Sequence, residues 1–478
     1  MIEAGRKILA GARIRRLRRE LGLSQSGMAG ELGISTSYLN LMERNQRPVT
    51  AQVLIRLAEA YNVDPRSFAR EEETRLAGEM EEIFSDPLFR SVTVSKDELR
   101  ELTTLAPSIG EAIQKLYSAY ADLRSSESGA GSVSDLDHDR SEGAGSDNPV
   151  DRVRDLIQSA NNHFPELEEA AETVWNEAVP SGEPLFDALC QRMKVNHGIK
   201  VQIFPVEVMP GSIRRFDFHR RRLMLSEMSD QAGRTFQVAY QIGLTEFGSV
   251  IGSIADRFEP QDGPAKALLR VSLANYFAAA LMMPYAKFLE AAESIDYDTD
   301  VLGARFQASF EQVAHRLTTL GRSGARGIPF FLIRIDQAGN VSKRFSAGSF
   351  PFSRFGGTCP LWNIHEAFQV SGKILTQIIE MPDGAKWFSM ARQSRRASTG
   401  WGEAESQFVI GLGCELKYAH RLIYARGIDL KSPVTTPIGV NCRLCERPNC
   451  AQRAAPPMKR RLRIDEAVRN ISPFSFGD

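Results

Sequence analysis

Apolar positions at the N-terminal end of the chain recur every three to four residues. Ile8, Leu9, Ile14, Leu17 and Leu21 share one side of a predicted helix over 6–21, and Val53, Leu54, Leu57 and Ala58 share one side of another over 50–61. Two shorter helices fit between them. Leu23-Ser24-Gln25 opens the first with Ser24 as N-cap. Gly33-Ile34-Ser35 then makes a tight turn, and Ser35 caps the second, which runs through Ser37, Tyr38 and Asn40 to Arg44. Helical spacing returns over 70–124, where Leu102, Leu105, Ile109, Ile113, Leu116 and Tyr120 form a stripe suited to intradomain core or to a dimer seam. From Ser125 to Pro149 the pattern stops: Ser, Gly, Asp and Glu dominate, no core can form, and a flexible linker reaching about 25–30 Å is expected.

Past the linker the period alternates between helix and strand. A helix over Leu185–Asn196 leads into a strand over Ile199–Phe204, and Ile213–Ser226 alternates like a second strand or hairpin. Phe236, Ala239, Ile242, Gly243 and Phe247 mark a buried helix, and Phe306, Phe310, Val313 and Leu317 mark helical structure within 298–320. Strands then take over. Ile328–Ile335 pairs with Val341–Phe345 across Gln337-Ala-Gly-Asn340, and Lys373–Met381 pairs with Lys386–Ala391 across Pro382-Asp-Gly384. The expected division is 1–70 DNA-binding, 71–124 helical connector or dimerisation segment, 125–149 linker, 150–320 middle domain and 321–478 C-terminal sensor domain. At 478 residues the chain has the length for it.

Composition narrows the class. Lys+Arg and Asp+Glu are both 59, so no global charge draws the chain to nucleic acid or membrane, and any basic surface is local. No apolar run reaches the ~18–20 residues of a membrane span, and the Met1 end lacks a signal-peptide layout, so a soluble, cytoplasmic protein with no membrane partner is expected. Six Cys, three of them crowded together, suit metal or redox chemistry better than a disulfide framework.

The N-terminal helices make a helix-turn-helix, whose second helix presents polar side chains to a DNA groove. Gln25 stands at a helix N-terminus where it can meet phosphate; Thr36, Ser37 and Asn40 project toward base edges; Arg44, Asn45 and Arg47 follow and would hold the backbone. A helical bundle with a solvated basic face is the bland alternative. The run from Leu23 to Thr50, L-S-Q-x-x-M-A-x-x-L-G-I-S-x-S-Y-L-N-x-M-E-R-N-Q-R-P-V-T, resembles the Cro/repressor (XRE) class of DNA-binding domains.

On the buried helix, the H-E-x-x-H positions of a zinc peptidase are Tyr240, Gln241 and Leu244. Two His one turn apart would bind zinc there and a Glu would activate water. Leu cannot ligate, Tyr rarely does, and an amide cannot take a proton from water. The segment resembles the ImmA/IrrE peptidase-like domain. That resemblance places a third, acidic ligand at Leu273, in Leu273-Ala-Asn-Tyr-Phe-Ala-Ala-Ala-Leu-Met-Met-Pro284. The expectation is a degenerate zincin-like α+β domain, not an enzyme, with an apolar cavity at Tyr240, Gln241, Leu244 and Leu273. The hairpin carries five arginines within nine residues, and Arg214, Arg215 and Arg220 are candidates for gripping ligand phosphates.

Cys442, Cys445 and Cys450 form C-x2-C-x4-C. An iron–sulfur cluster (4Fe-4S) held by four thiolates needs one more ligand, with Cys414 the first candidate and Cys359 the alternative; structural zinc and unliganded thiols are the other readings. The surroundings of Cys359, Cys414 and Cys442–Cys450 resemble the C-terminal domain of bacterial regulators that join these three domains in the same order. The whole chain is thus similar to the short-chain acyl-CoA-responsive transcription regulators, including those of propionate catabolism and of propionyl-CoA carboxylase. The resemblance implies a multidomain fold: an all-α helix-turn-helix domain, the α+β middle domain and an α/β sensor-like C-terminal domain. It also implies double-stranded promoter DNA and a short-chain acyl-CoA as partners, and a homo-oligomer. Two other classes stay open: a regulator sensing only redox state through the Cys cluster, and an active metallopeptidase cleaving a repressor.

Overall fold

The computed structural model describes residues 11–477 apart from 21–22, 45, 62–70, 90–93, 107–108, 111, 118–119, 121–148, 179–182, 259–262, 353–356, 396–405, 458–459 and 466. The expected first turn over 6–10, Asn45, and the expected linker up to residue 148 lie outside these residues.

Four helices make the N-terminal domain: α1 (Gly11–Glu20), α2 (Gln25–Glu31), α3 (Thr36–Glu43) and α4 (Ala51–Tyr61). Ser24 Oγ accepts from the Gly27 amide at 3.0 Å and Ser35 Oγ from the Tyr38 amide at 3.2 Å, so both expected caps form. Gly33 turns the chain between them with φ 60°, a conformation glycine takes without strain. Arg56 of α4 pins that turn by donating to the Leu32 and Gly33 carbonyls at 2.8 and 3.1 Å. Ile14, Met28, Leu39, Met42 and Leu57 form the core.

The connector contains α5 (Glu71–Ile83) and α6 (Lys96–Leu105), the latter opened by a Ser95–Glu98 capping box. The apolar stripe divides here. Ile113 packs against a small core of Leu76, Met80, Ile83 and Leu99, whereas Ile109 and Leu116 face solvent. Gly78 and Lys96 of the connector line a cavity of about 110 Å³ together with Phe350 and Leu444 of the C-terminal region.

In the middle region α7 (Pro149–Ser159), α8 (Pro165–Ala178) and α9 (Leu185–His197) precede a three-stranded sheet, β1 (Lys200–Phe204), β2 (Arg214–Asp217) and β3 (Arg222–Ser226), in the order β1-β3-β2. β2 and β3 are the expected hairpin; β1 runs parallel to β3. Then come α10 (Gln231–Glu246), α11 (Gly248–Arg257) and α12 (Gly263–Met282). α10 and α12 approach closely at Gly243, where a Cβ would stand 2.8 Å from Phe277 Cδ1.

The core does not change over at residue 320. α13 (Tyr285–Ser294), α14 (Thr299–Phe306) and α15 (Phe310–Leu317) share one core with the helix-facing side of a six-stranded sheet: β4 (Phe331–Asp336), β5 (Val341–Ser346), β6 (Leu375–Glu380), β7 (Lys386–Arg395), β8 (Gln407–Glu415) and β9 (Thr436–Pro437). Strand order is β5-β4-β8-β7-β6-β9, antiparallel except at β6–β9, and both expected hairpins are present. Residues alternate between faces as strand geometry requires. Leu332, Phe388, Met390, Ile410, Leu412 and Cys414 meet the helices; Phe331, Ile333, Trp387 and Val409 line a separate core with Cys359 and Trp362. Arg316 of α15 is fully buried against Glu168 of α8, with Nη1–Oε1 at 2.7 Å and Nη2–Oε2 at 2.8 Å, and ties the two cores together.

Candidate functional site

The helix-turn-helix presents Thr36, Ser37, Arg44 and Arg47 to solvent, with Asn40 half-buried beside them. This is the arrangement base and phosphate contacts need. Gln25 is different. Its Nε2 donates to Glu43 Oε2 at 2.7 Å, and Glu43 also takes Arg18 Nε at 2.6 Å and Nη2 at 3.1 Å. Glu43 is 3 % exposed, and burial works to raise its pKa, yet the hydrogen bonds from Arg18 and Gln25 hold it below the usual carboxylate value. The sequence reading missed this network, which fixes α3 against α1. The Gln25 amide nitrogen is thus engaged within the domain.

Asp230 caps α10 by accepting from the Gly233 amide at 2.7 Å. The helix brings Tyr240 and Gln241 to near-complete burial, and α12 brings in Leu273 at 0 % exposure; Leu244 packs at the margin. At the expected apolar hollow a basic side chain reaches in. Arg214 of β2 lies over the Tyr240 ring, 4.2 Å from its centre, and its Nη1 donates to Gln241 Oε1 at 2.5 Å. A half-buried guanidinium between an aromatic face and an amide oxygen occupies the space that a small molecule was expected to fill. Burial lowers the Arg214 pKa, and Tyr240 works against that shift. Arg215 and Arg220 instead face solvent, Arg220 with Asp217 as an ion-pair partner at 3.9 Å. The hairpin therefore does not present its arginines as one phosphate grip: one points in and two point out.

One turn beyond Gln241, Glu246 gathers Arg192 Nη2 at 2.6 Å and His197 Nε2 at 2.9 Å. Burial opposes its ionisation, but these partners keep its pKa below the usual value. Acidic and basic residues 49 and 54 positions apart carry no spacing signal, so the sequence could not have paired them.

Cys359, Cys442, Cys445 and Cys450 line one cavity of about 330 Å³. Cys414 does not join them. It is fully buried on the helix-facing side of β8, in the core opposite to that of Cys359, and desolvation pushes its thiol strongly up. The structure does not bring Cys414, the first candidate for the fourth position, to this cavity, because strand alternation sends residue 414 to the opposite face, and it is the alternative, Cys359, that lies there. Burial also raises the Cys359 pKa; the backbone N–H groups of Gly439 and Leu361 oppose that shift, and Cys442 and Cys445 add to it. The Ala454 amide donates to Cys442 Sγ at 3.5 Å. Gly439 has no room for a side chain, since a Cβ would stand 2.8 Å from Cys445 Sγ. Arg453 donates to the Cys442 carbonyl at 3.0 Å and the Arg447 carbonyl at 2.7 Å, while its buried Nε has no hydrogen-bond partner. Among the described residues no three of His, Cys, Asp or Glu are gathered closely enough to hold one metal ion. Cys190 is half-buried against the middle core, its thiol pushed up to about 12 by burial.

Comparison with known proteins agrees with this arrangement along the whole chain. Residues 14–68 match a helix-turn-helix model, 195–318 the IrrE N-terminal-like domain, and 319–474 the short-chain fatty acyl coenzyme A regulator, C-terminal. The chain is 37% identical over 474 residues to the HTH-type transcriptional regulator RamB of Mycobacterium tuberculosis, covering 98% of each protein. It is 37% identical over 475 residues to the HTH-type transcriptional regulator PrpR of the same organism, covering 98% of this chain and 96% of that one. With the propionyl-CoA carboxylase regulator of Cereibacter sphaeroides it shares 37% over 476 residues and 99% of each. A solved Mycobacterium tuberculosis transcriptional regulator superposes with TM-score 0.65 at 39% identity, over 68% of this chain and 99% of the other. The chain belongs to the family of helix-turn-helix transcriptional regulators that carry the short-chain fatty acyl-CoA regulator domain at the C-terminus.

Proposed function

We propose that this regulator binds promoter DNA through α3, and that a short-chain acyl-CoA of propionyl-CoA size alters that binding, so that genes of short-chain fatty acid and propionyl-CoA metabolism follow the ester's concentration. The observation that carries the reading is an intact, doubly capped helix-turn-helix with exposed Thr36, Ser37, Arg44 and Arg47, in a chain that matches such regulators from end to end. The middle domain acts as a ligand-responsive scaffold, not a peptidase. Leu244 and Leu273 have no donor atom, Gln241 has no base, and Arg214 would set a cation beside any metal. In the assembly two copies would place two α3 helices on a two-fold site, with exposed Ile109 and Leu116 as candidate seam residues.

The four thiols around the 330 Å³ cavity fit an iron–sulfur cluster of the 4Fe-4S type. Tetrahedral zinc with ~2.3 Å bonds would need sulfurs about 3.8 Å apart. Thiols spread around a cavity suit a bulkier group, with zinc as the alternative. Bound there, a cluster would supply one-electron redox chemistry; N–H donors at Cys359 and Cys442 and the buried Arg453 would offset the thiolate charge. A second, redox input is favoured by one specific feature: Leu444, next to Cys445, lines a cavity with Gly78 of the connector.

The test is fluorescence anisotropy of the full chain on promoter DNA, titrated with acetyl-, propionyl- and butyryl-CoA. The expected result is DNA affinity that changes several-fold with propionyl-CoA and not with free propionate. DNA binding indifferent to every CoA ester would overturn the reading.

A further inference from the structure

We infer that the outer face of the three-stranded sheet is a second DNA contact, which grips the phosphate backbone of the duplex outside the stretch read by α3. The inference rests on promoter binding through α3 and adds a surface to it.

Strand pairing decides which side chains share that face. β1 lies beside β3 with Lys200 opposite Arg222, and β2 lies on the other side of β3 with Asp217 opposite Arg222. Because side chains alternate along a strand, Lys200, Phe204, Arg215, Asp217 and Arg222 stand on one face. Leu223, Leu225 and Arg214 turn to the other, where the leucines are fully buried and Arg214 meets Tyr240. Lys200 and Arg215 are exposed; Arg222 is half-buried, its guanidinium 5.9 Å from the centre of the Phe204 ring. Strands are ~4.8 Å apart and same-face positions along a strand ~6.8 Å apart, so the three cations spread over a flat area and do not converge on one point.

These cations differ from others on the surface. Arg257 pairs with Glu166 at 2.7 Å, Arg421 with Glu293 at 2.8 Å and Arg426 with Asp296 at 2.6 Å. Among the described residues, Lys200, Arg215 and Arg222 have no such carboxylate. The one acidic side chain that the strands place beside them, Asp217, is engaged by the hairpin turn: its Oδ1 accepts from the Arg220 amide at 3.0 Å. The same turn carries Phe218, 77 % exposed. A flat set of uncompensated cations calls for an anion that repeats along a line. A duplex supplies one, with a phosphate every ~3.4 Å of axis on each strand, and Lys and Arg contacts to it hold a protein in register. Phe218 at the tip would lie against the groove edge, as apolar side chains of architectural proteins do. An anionic membrane would match the charge as well. DNA is favoured because α3 already holds a duplex on the same chain, which makes the second contact intramolecular and lets a weak surface count.

The test uses the full chain and two promoter duplexes in fluorescence anisotropy, one trimmed to the α3 site and one extended by about two helical turns (~20 base pairs) on each side. Lys200→Gln, Arg215→Gln and Arg222→Gln together should weaken the extended duplex about tenfold and make its salt dependence shallower by about two to three phosphate contacts. Binding to the trimmed duplex should not change, which also shows that the variant is folded. Restoring charge with Arg215→Lys and Arg222→Lys, on unaltered Lys200, should recover most of the affinity and the salt slope. If the glutamine variant binds the extended duplex like the parent, the face is not a DNA contact. Equal losses on both duplexes would trace the effect to α3 and overturn the inference too. So would binding of the parent to phosphatidylserine vesicles that the variant loses while its DNA binding is unaltered. A parent that binds neither duplex would instead bring down promoter binding itself, and this surface with it.

Discussion

The helix crossing at Tyr240 and the loop around Cys445 are the two places where this chain has the outline of a metal site, and they differ in opposite ways. At the crossing the side chains are Tyr, Gln and two Leu, and Arg214 lies over the Tyr240 ring and donates to Gln241. In the loop the side chains are four thiols drawn from residues 359 and 442–450, and a cavity of about 330 Å³ remains among them. Where a helix crossing carries no ligating side chains, apolar and stacked groups gain from closing on each other. In the loop, the Ala454 amide on Cys442 and the close fit of Gly439 against Cys445 fix two of the thiols in place.

The largest effect should come from the loop. In anaerobically prepared protein, Cys359→Ser, Cys442→Ser, Cys445→Ser and Cys450→Ser should each abolish bound iron, acid-labile sulfide and visible absorbance. Cys414→Ser should retain them and instead cost about 1–3 kcal/mol in a urea melt, because a hydroxyl replaces a fully buried thiol. Iron loss in Cys414→Ser at unchanged stability would break the comparison on the cysteine side.

At the helix crossing the matching change is Leu273→Glu, which places an acidic residue at a position with 0 % exposure. With no metal to receive it, the carboxylate is buried uncompensated, and the expected cost is several kcal/mol, enough to unfold the middle domain at 37 °C. A folded variant that took up stoichiometric zinc would show the site to be open after all.

Much of this was legible in the residues. Ser24, Gly33 and Ser35 announce two caps and a turn, and each appears where its chemistry requires. The hairpins of the six-stranded sheet follow from alternation and turn residues that act over a few positions. What was not legible depends on long-range register. Cys414, the first candidate as fourth ligand, and Cys359, the alternative, differ in face only once the pairing of β8 with β4 and β7 decides which side residue 414 takes. Arg214 was one of five similar arginines, and only the pairing of β2 with β3 turns it inward. Glu43 carries no signal of its own in the helix-turn-helix run, yet it is the buried anchor for Arg18 and Gln25.

A smaller effect is expected from Arg214→Met, which keeps the stem and removes the guanidinium. Gln241 Oε1 loses its donor and Tyr240 its cation, for a cost of about 1–3 kcal/mol, and part of this returns because a half-buried charge no longer needs solvation. Propionyl-CoA affinity should stay within twofold of the parent, since the guanidinium is already engaged by Tyr240 and Gln241. A tenfold loss would mean that the ester contacts Arg214.

The smallest change uses the same probe in both regions: a methyl group added at Gly439 or at Gly243. Gly439→Ala would place Cβ 2.7 Å from Cys445 Cβ and 2.8 Å from its Sγ. That loop can yield only by moving a thiol, so iron content should fall measurably while the urea midpoint barely moves. Gly243→Ala meets Phe277 Cδ1 at 2.8 Å, and the Phe277 ring is fully buried with Phe247 at 5.1 Å on one side. Two terms oppose each other there. Alanine in the middle of α10 gains about 0.8–1.0 kcal/mol of helix propensity over glycine, whereas overpacking a filled core costs about 1–3 kcal/mol. Because the neighbour is a ring wedged between two helices, and not the free end of a flexible chain, the packing cost should prevail, for a net loss near 1 kcal/mol and unchanged iron. A stabilised Gly243→Ala would mean that Phe277 has room to move, and the crossing would then be looser than its closed geometry implies.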